Sequence, residues 1–495
     1  MRCRMTAVAL LVIVTASAAA VRAQSEYGEV RGFAVDTSGA PVGNMDVYVE
    51  GTGRGTTTRQ NGLFVLERVP AGKRLIVLRH IGYVEKRIGP ITVGPGETQE
   101  LGRITVINSA FDIDGVVVTS SRTKSYAAEV PNSLNLVQTR EIQRRNPKTS
   151  AEVLREEEAV FVQKTSHGGG SPIIRGLNSN RVLLLVDGIR MNNSTYRNGN
   201  IPYLTLVDQF MVDRLEVVRG PTSVLYGSDA LGGTINSITK SIMFAKDNRT
   251  RFDYRLFSRY ASADNEKSSR GEINLANQSF GIRIGGSYKD FGDLRRGANS
   301  AHDVLENSTN GLLQTPTGFN STDFNTRLGW KITDNQQLTA SWQMTRRKDI
   351  PRYDKYESNS YYRYHYTPQN RDLVYLAWEN ILDLPWLYSL SATFSYHRQE
   401  EGRKKRKHET DPLTREWHEV GTKGVSLQAE MLRKGHHLVV GTEIYLDDID
   451  AFRRDIFADN TSEEHDQARY PDGATYNSFG LYLNDQYELS PFWTA

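Results

Sequence analysis

Few residues in this chain invite a catalytic reading. His167 precedes Gly168-Gly169-Gly170, a string that lines the oxyanion hole of some esterases. No Gly-x-Ser-x-Gly nucleophile elbow exists anywhere to complete it. His408-Glu409 and His418-Glu419 each lack a second histidine four residues on, so neither forms a zinc-protease helix. No Gly-Lys-Ser/Thr phosphate loop appears. Binding chemistry is better represented. Residues 353–366 hold Tyr353, Tyr356, Tyr361, Tyr362, Tyr364, His365 and Tyr366. Such a patch stacks on a flat ligand or packs a loop onto itself. Arg403-Lys404-Lys405-Arg406-Lys407 either attracts an anionic ligand, binds lipopolysaccharide phosphates, or is a solvated charge run.

Composition narrows the class. Lys+Arg number 61 and Asp+Glu 58 in 495 residues, a net charge of +3, so no basic surface calls for a nucleic acid. Mean hydropathy is −0.51, which excludes a bundle of membrane-spanning helices. It does not exclude a membrane β-barrel, whose strands are only half apolar. Residues 1–23 read as a secretory signal: Arg2 and Arg4, an uncharged apolar run over 7–20, and Val21-Arg22-Ala23 as cleavage site. The single cysteine, Cys3, lies inside it. No later apolar run reaches about 18 residues.

The elements that must position these groups fall into four pieces. Residues 24–108 show short alternating runs split by Gly and Pro turns, which predicts a small antiparallel β-sandwich. Residues 109–124 are a linker around the apolar stretch 116–119. Residues 125–245 read as α/β, with strands at 134–137, 182–186 and 212–219. Thr149-Ser150-Ala151-Glu152 predicts a capping box that opens a helix over 152–158. Residues 246–495 alternate with period 2, as in Leu338, Ala340, Trp342, Met344 against Thr339, Ser341, Gln343. Tight turns are expected at 277–280, 333–336, 383–385, 433–435 and 490–492. Long connections are expected at 291–321, 348–370, 399–414 and 449–473. Short and long loops in alternation predict an antiparallel transmembrane β-barrel. The fold expected is therefore mainly β: an N-terminal β-sandwich, an α/β domain and an antiparallel transmembrane β-barrel.

Two segments carry resemblances. Gly39-Ala40-Pro41-Val42, Gly51-Thr52, Gly62-Leu63-Phe64-Val65-Leu66, Val69-Pro70-Ala71-Gly72 and Ile81-Gly82-Tyr83 resemble the carboxypeptidase regulatory-like domain. Residues 168–176, ending in Arg175-Gly176, resemble the plug domain of TonB-dependent outer-membrane receptors. So do 181–190 around Asp187-Gly188, and 214–221, containing Glu216 and Arg219-Gly220-Pro221. The fourth such motif, 225–236, contains Tyr226-Gly227, Gly232-Gly233 and Asn236. One departure is Glu157-Glu158-Ala159, where that family has a Pro-Gly turn. The resemblance implies that Asp114, Gly115, Val116, Val117, Val118 and Thr119 are the TonB box. This is a strand that TonB, of the inner-membrane energy-transducing complex, pairs with by strand addition.

A plugged barrel of this family needs about 22 strands. The periodic segment supplies about ten, with an eleventh opening at Trp493, so the sequence is expected to be a C-terminally truncated receptor that cannot close alone. The resemblance implies a bacterial outer-membrane transporter, with its N-terminal domain and TonB box in the periplasm. Its contacts would be membrane lipid, lipopolysaccharide and a metal-chelate or haem ligand. No resident cofactor or metal is called for. Arg175, Glu216 and Arg219 are expected to pair with lumen-facing acids. The loops at 166–171 and 192–203 are expected to stand free of the plug core. They offer His167, Tyr196, Arg197 and Tyr203 to ligand, beside Tyr353, Tyr362 and His365 of the barrel. Residues 288–295 with 349–354 are similar to barrel segments of haem and haemoglobin receptors. Asn198-Gly199-Asn200 stands where those receptors offer a histidine. Cobalamin and glycan uptake, or a surface adhesin or sensor on the same scaffold, are the alternatives.

Overall fold

Alternation along the C-terminal half produces one continuous antiparallel sheet. We describe it from a computed structural model. The model describes residues 27–36, 39–80, 83, 86–106, 117–118, 125–126, 133–197, 199–245, 247–296, 313–382, 384, 386–433, 436–490 and 493–494. The chain divides into two units near residue 117.

The first unit has two sheets. One orders Leu63–Pro70, Tyr27–Val35 and Thr98–Thr105. The other orders Gly55–Thr57, Asp46–Val49, Gly72–Arg79 and Lys86–Val93. Alternate residues face inward, and Val30, Phe64, Leu66, Val47, Ile76 and Leu78 are fully enclosed in a common core. One pairing departs from the antiparallel expectation: Tyr27–Val35 and Thr98–Thr105 run parallel. A parallel neighbour requires a crossover rather than a hairpin, and the chain supplies one through the second sheet.

The second unit begins with a five-stranded sheet. Its order is Ser133–Gln138, Val212–Arg219, Gly233–Thr239, Val182–Val186 and Ile189–Arg190. Val182–Val186 is buried along its whole length, which its unbroken apolar sequence requires, and it pairs parallel with Gly233–Thr239. The capping box does not form. Ala151 is the N-cap of a 3-10 turn, Glu152–Glu156, without a side-chain cap bond. Ser150 and Glu152 are drawn elsewhere: Ser150 Oγ donates to the Val207 carbonyl, and Glu152 Oε2 accepts from the Lys148 amide. An α-helix stands earlier instead, at Thr139–Arg145, with Glu141 bonded to both Arg144 and Arg145. Ala159 adopts φ 58, so an alanine holds the left-handed turn at the Glu157-Glu158-Ala159 departure.

From Arg251 onward a 13-stranded sheet follows in sequence order, with Ile350–Pro351 and Ser462–His465 as side branches. Its main path starts at Arg251–Ala261 and ends at Trp493–Thr494. The tight turns expected at 277–280 and 333–336 lie between adjacent strands, and those at 383–385, 433–435 and 490–492 fall partly outside the described residues. Outward side chains are apolar and exposed, among them Ile273, Trp342, Val374, Leu376, Phe394, Leu427 and Ile444. Inward ones are polar and buried, among them Glu272, Ser341, Gln343, Arg371, Gln399 and Thr422. Three of the long connections are shorter than expected, because the strands continue. Arg363–Ile381, Leu413–Arg433 and His436–Ile456 have 19, 21 and 21 residues. Crossing a bilayer takes about 9–11. The ladder bonds persist past that length, so residues 403–406 of the basic run lie on a strand.

Candidate functional site

The five-stranded plug meets the inner face of the ladder through buried charge. At the Asp187-Gly188 turn, φ is 51 and 80. Asp187 accepts from the Thr239 amide at 2.8 Å, Gln343 Nε2 at 3.0 Å and Tyr375 Oη at 3.0 Å. Arg327 Nη2 of the ladder lies 2.9 Å from Asp187 Oδ2. The Gly188 amide donates to Asn236 Oδ1 at 3.1 Å, which joins two of the plug motifs.

Asp208 makes a second joint. Its carboxylate takes Lys289 Nζ at 2.7 Å, Arg270 Nη1 at 3.0 Å and Ser287 Oγ at 2.6 Å, all from ladder strands. Burial pushes this carboxyl up, but Lys289 and Arg270 outweigh it and hold it at about 2. Asp208 escaped sequence reasoning because an acid gains meaning only from the bases it meets, and those stand 62 and 81 residues away.

The pairs expected for the plug charges are not the ones formed. Glu216 is bonded to Arg214 at 2.9 Å, one strand position pair away. Arg219 Nη1 lies 3.5 Å from Glu158 Oε2, also in the plug. Arg175 is exposed at φ 49, its guanidinium over Gly220, whose φ is 107. The plug acids Asp187 and Asp208 meet ladder bases, and the plug-side bases that reach ladder acids are Lys148, on Asp264, and Lys240, on Glu272, not Arg175 or Arg219. The physical reason is position: Asp187 and Asp208 sit on turns that reach the wall, while Glu216 points into its own sheet. Gly220-Pro221 leads into the short helix Ser223–Tyr226, and Tyr226 is buried with Leu183 and Leu185. After Gly227 and Gly232, Gly233 must be glycine: φ is 152, and a Cβ would stand 2.3 Å from the Val218 carbonyl oxygen.

At the long-loop end, the plug loops do not stand free. His167 is buried, edge-on to Phe291 and Phe319, with Nε2 3.1 Å from Asp264 Oδ2. Arg347 of the ladder donates to the Gly168 carbonyl at 2.8 Å and to Thr205 Oγ1 at 2.8 Å. Tyr196 and Tyr203 are packed in the plug core, ring centroids 4.8 Å apart. Burial pushes both phenols well above their ordinary range. These loops are small-residue spacers that let the wall approach, so their Gly and Ser content serves packing. Arg197 is half-buried, with Nη1 3.5 Å from Tyr470 Oη. Tyr470 in turn donates to the Thr195 carbonyl at 3.0 Å.

The tyrosine run splits by alternation. Tyr364 and Tyr366 face inward with Phe291 and Phe319. Arg352 lies over Tyr364 at 5.0 Å and Arg403 over Tyr366 at 5.4 Å. Tyr362 is exposed, Tyr353 opens the helix Tyr353–Glu357, and His365 meets Tyr356 edge-on at 5.9 Å. The structure brings Arg197, Arg352, Arg403 and the inward tyrosines to one end, and leaves His365 on the other face of its strand, with Tyr362 exposed before the strand begins and bonded to Glu409. No group of three or more His, Cys, Asp or Glu among the described residues is placed to hold a metal ion. Val117 and Val118 form a short strand. Asp114, Gly115, Val116 and Thr119 lie outside the described residues, as do residues 1–23.

Comparisons with known proteins agree with this architecture. Residues 127–234 match the TonB-dependent receptor plug domain, and residues 29–106 the carboxypeptidase regulatory-like domain. The vitamin B12 transporter BtuB of Vibrio vulnificus (strain CMCP6) is 39% identical over 130 residues, 26% of this chain and 21% of that protein. BtuB of Vibrio cholerae serotype O1 (strain M66-2) is 37% identical over 138 residues, 27% of this chain and 22% of that protein. The chain thus spans about a fifth of the length of these curated relatives. Among solved structures, the copper transporter OprC superposes with a TM-score of 0.57 at 16% identity, over 72% of this chain and 53% of that one. The hemophore receptor HasR of Serratia marcescens, solved with its hemophore HasA and heme, gives 0.56 at 18% identity, over 72% and 50%. At such identities the likeness is one of fold. A segment matching the plug domain of TonB-dependent receptors, seated on a strand ladder and preceded in sequence by a carboxypeptidase regulatory-like match, is what this chain shares with that family.

Proposed function

We propose that this receptor takes up a scarce iron chelate, haem or a ferric siderophore, across the bacterial outer membrane. The observation that carries the reading is the nature of the plug–ladder joint. It combines the buried polar contacts of Asp187 and Asp208, which water can replace, with a limited apolar contact of Leu373 and Tyr375 on the plug's apolar core. A plug held this way can shift as a body without losing its fold. The outer membrane holds no nucleotide pool, so the work comes from TonB, which pairs with residues 114–119 in the periplasm and pulls. Arg197, set among tyrosines at the long-loop end, suits an anionic, flat or aromatic chelate, beside Arg352 and Arg403, whose charges are held by Asp354 and Glu401.

Cobalamin is the second reading, favoured by the identity to BtuB over 130 residues. The test is growth of a deletion strain on haem, a ferric siderophore or cobalamin as sole source. Loss on an iron source supports the first reading, and loss on cobalamin alone supports the second. Undiminished growth on all three would leave an adhesin or sensor.

A further inference from the structure

The inner wall of the ladder carries two arginines that no carboxylate of the described residues holds. Arg347, on Gln336–Lys348, and Arg371, on Arg363–Ile381, stand on adjacent strands. Their exposures are 2% and 0%, so the seated plug encloses both. Arg347 has only neutral partners, the Gly168 carbonyl and Thr205 Oγ1 of the plug, and lies 4.7 Å from the ring centre of Phe319. Arg371 places Nη1 3.2 Å and Nη2 3.1 Å from Gln343 Oε1, and Nε 3.0 Å from His397 Nε2. Other bases at this joint are matched by acids: Arg270 and Lys289 by Asp208, Lys240 by Glu272, Arg327 by Asp187 and Arg403 by Glu401. Arg371 reaches an acid only through an amide, because Gln343 Nε2 donates to Asp187.

Register brings a further donor to the same place. Arg347 stands directly opposite Gln369, and Arg371, on the same face of that strand, stands opposite Thr345 and Gln399. Arg347 Nε and Gln369 Nε2 are both enclosed and both without an acceptor. Unsatisfied N–H donors beside two guanidinium groups make a receptor for anionic oxygens. A buried cation with neutral partners is a standing cost to a fold, and an uncharged side chain of similar size would avoid it. The pair also has a place in a series. Above it Arg403 stands opposite Tyr366, and below it Arg327 lies at the level of Tyr375, through Ser341. From Gln369 to Tyr375 is roughly 20 Å of strand. Inward arginines therefore descend the wall from the long-loop end, the outer two held by acids and the inner two by neutral groups.

We propose that Arg347 and Arg371, with Gln369, form an anion-binding step beneath the plug, over which a negatively charged chelate passes once the plug loosens. Neutral acceptors hold the guanidinium groups while the plug is seated, so the carboxylate or catecholate oxygens of the chelate take them over without an ion pair having to break. The proposal rests on the uptake reading and narrows it to chelates of net negative charge.

The test uses whole cells that display the full-length receptor, with four probes. Haem and a ferric tricatecholate are anionic; a ferric trihydroxamate and cyanocobalamin carry no net charge. Surface binding and energised uptake are measured for each. Wild type should carry an anionic probe. Arg347→Gln with Arg371→Gln should bind that probe at the surface as wild type does and carry it about tenfold more slowly, as loss of one charge-assisted bond would. Arg347→Lys with Arg371→Lys should recover most of the rate, because it restores the charge. Arg371→Met should leave the denaturant midpoint for plug release undiminished, since the charge it removes had no acid partner. Unchanged uptake in the double Gln variant would overturn the proposal. Equal slowing in the Lys pair, or a lowered midpoint in Arg371→Met, would assign the positions to packing and overturn it too. So would carriage of uncharged probes alone by wild type. A wild type that carries none of the four removes the uptake reading and this step with it, whereas variants that keep pace with a transporting wild type remove this step alone.

Discussion

Asp208 of the plug and Lys289 of the ladder stand 2.7 Å apart, and both are buried. They come from segments 81 residues apart. Their ion pair is one of the joints that any movement of the plug must break.

Replacing Asp208 with Asn removes one of the two acid partners of each of two buried cations, Lys289 and Arg270. Loss of one partner in a buried pair costs roughly 3–5 kcal/mol. The lower end applies here, because Glu272 remains with Arg270 and Asp323 with Lys289. The denaturant midpoint for plug release, followed by limited proteolysis of full-length receptor, should fall accordingly. An unchanged midpoint would show that the joint carries no load.

His167 makes the long-loop end sensitive to acid. Burial holds its imidazole below the ordinary 6.5, and Asp264 opposes this without overcoming it. The folded state keeps the ring neutral, so below about pH 6.5 the unfolded chain binds more protons. Stability contributed here is therefore full above that pH and falls as pH drops through it. Thermal unfolding at pH 7.5 and 5.5 should show a larger decrease for wild type than for His167→Gln. Parallel decreases would assign the acid sensitivity to other groups.

Tyr196 and Arg197 are neighbours with different duties. Tyr196→Ala removes a ring from the plug core and should lower stability by about 3–5 kcal/mol. Arg197→Ala should leave the unfolding midpoint nearly unchanged and weaken chelate binding by about tenfold, as loss of a charged hydrogen-bond donor does. Calorimetric unfolding and equilibrium binding on the same two preparations decide it. Full affinity in Arg197→Ala, at normal surface levels, would move the site to the ladder loops.

Val117→Pro should abolish energised uptake and spare chelate binding. Proline removes a backbone donor from the strand proposed to pair with TonB. Radiolabelled uptake against surface binding in whole cells separates the two. Normal uptake in the variant would take the TonB box away from residues 114–119.

Much of this architecture was legible in the residues alone, where a local pattern has one structural outcome. The uninterrupted apolar run Val182–Val186 became a fully buried strand. Period-2 segments became the ladder, because alternation places every second residue on one face. Asp187-Gly188 and Gly233 sit where their backbone freedom is needed. Three things required the tertiary structure. Strand length beyond the membrane was invisible, since ladder bonding is set by the neighbouring strand, and residues 399–406 read equally well as loop. Ion-pair partners were invisible too: Asp208, Arg270 and Lys289 become one site only when the plug meets the wall. Exposure of a Gly-rich loop depends on what approaches it, and at His167 that is Phe291, Phe319 and Asp264. A chain's own pattern specifies which face of a strand is apolar. Which charge meets which, across segments tens to hundreds of residues apart, is settled only when those segments pack.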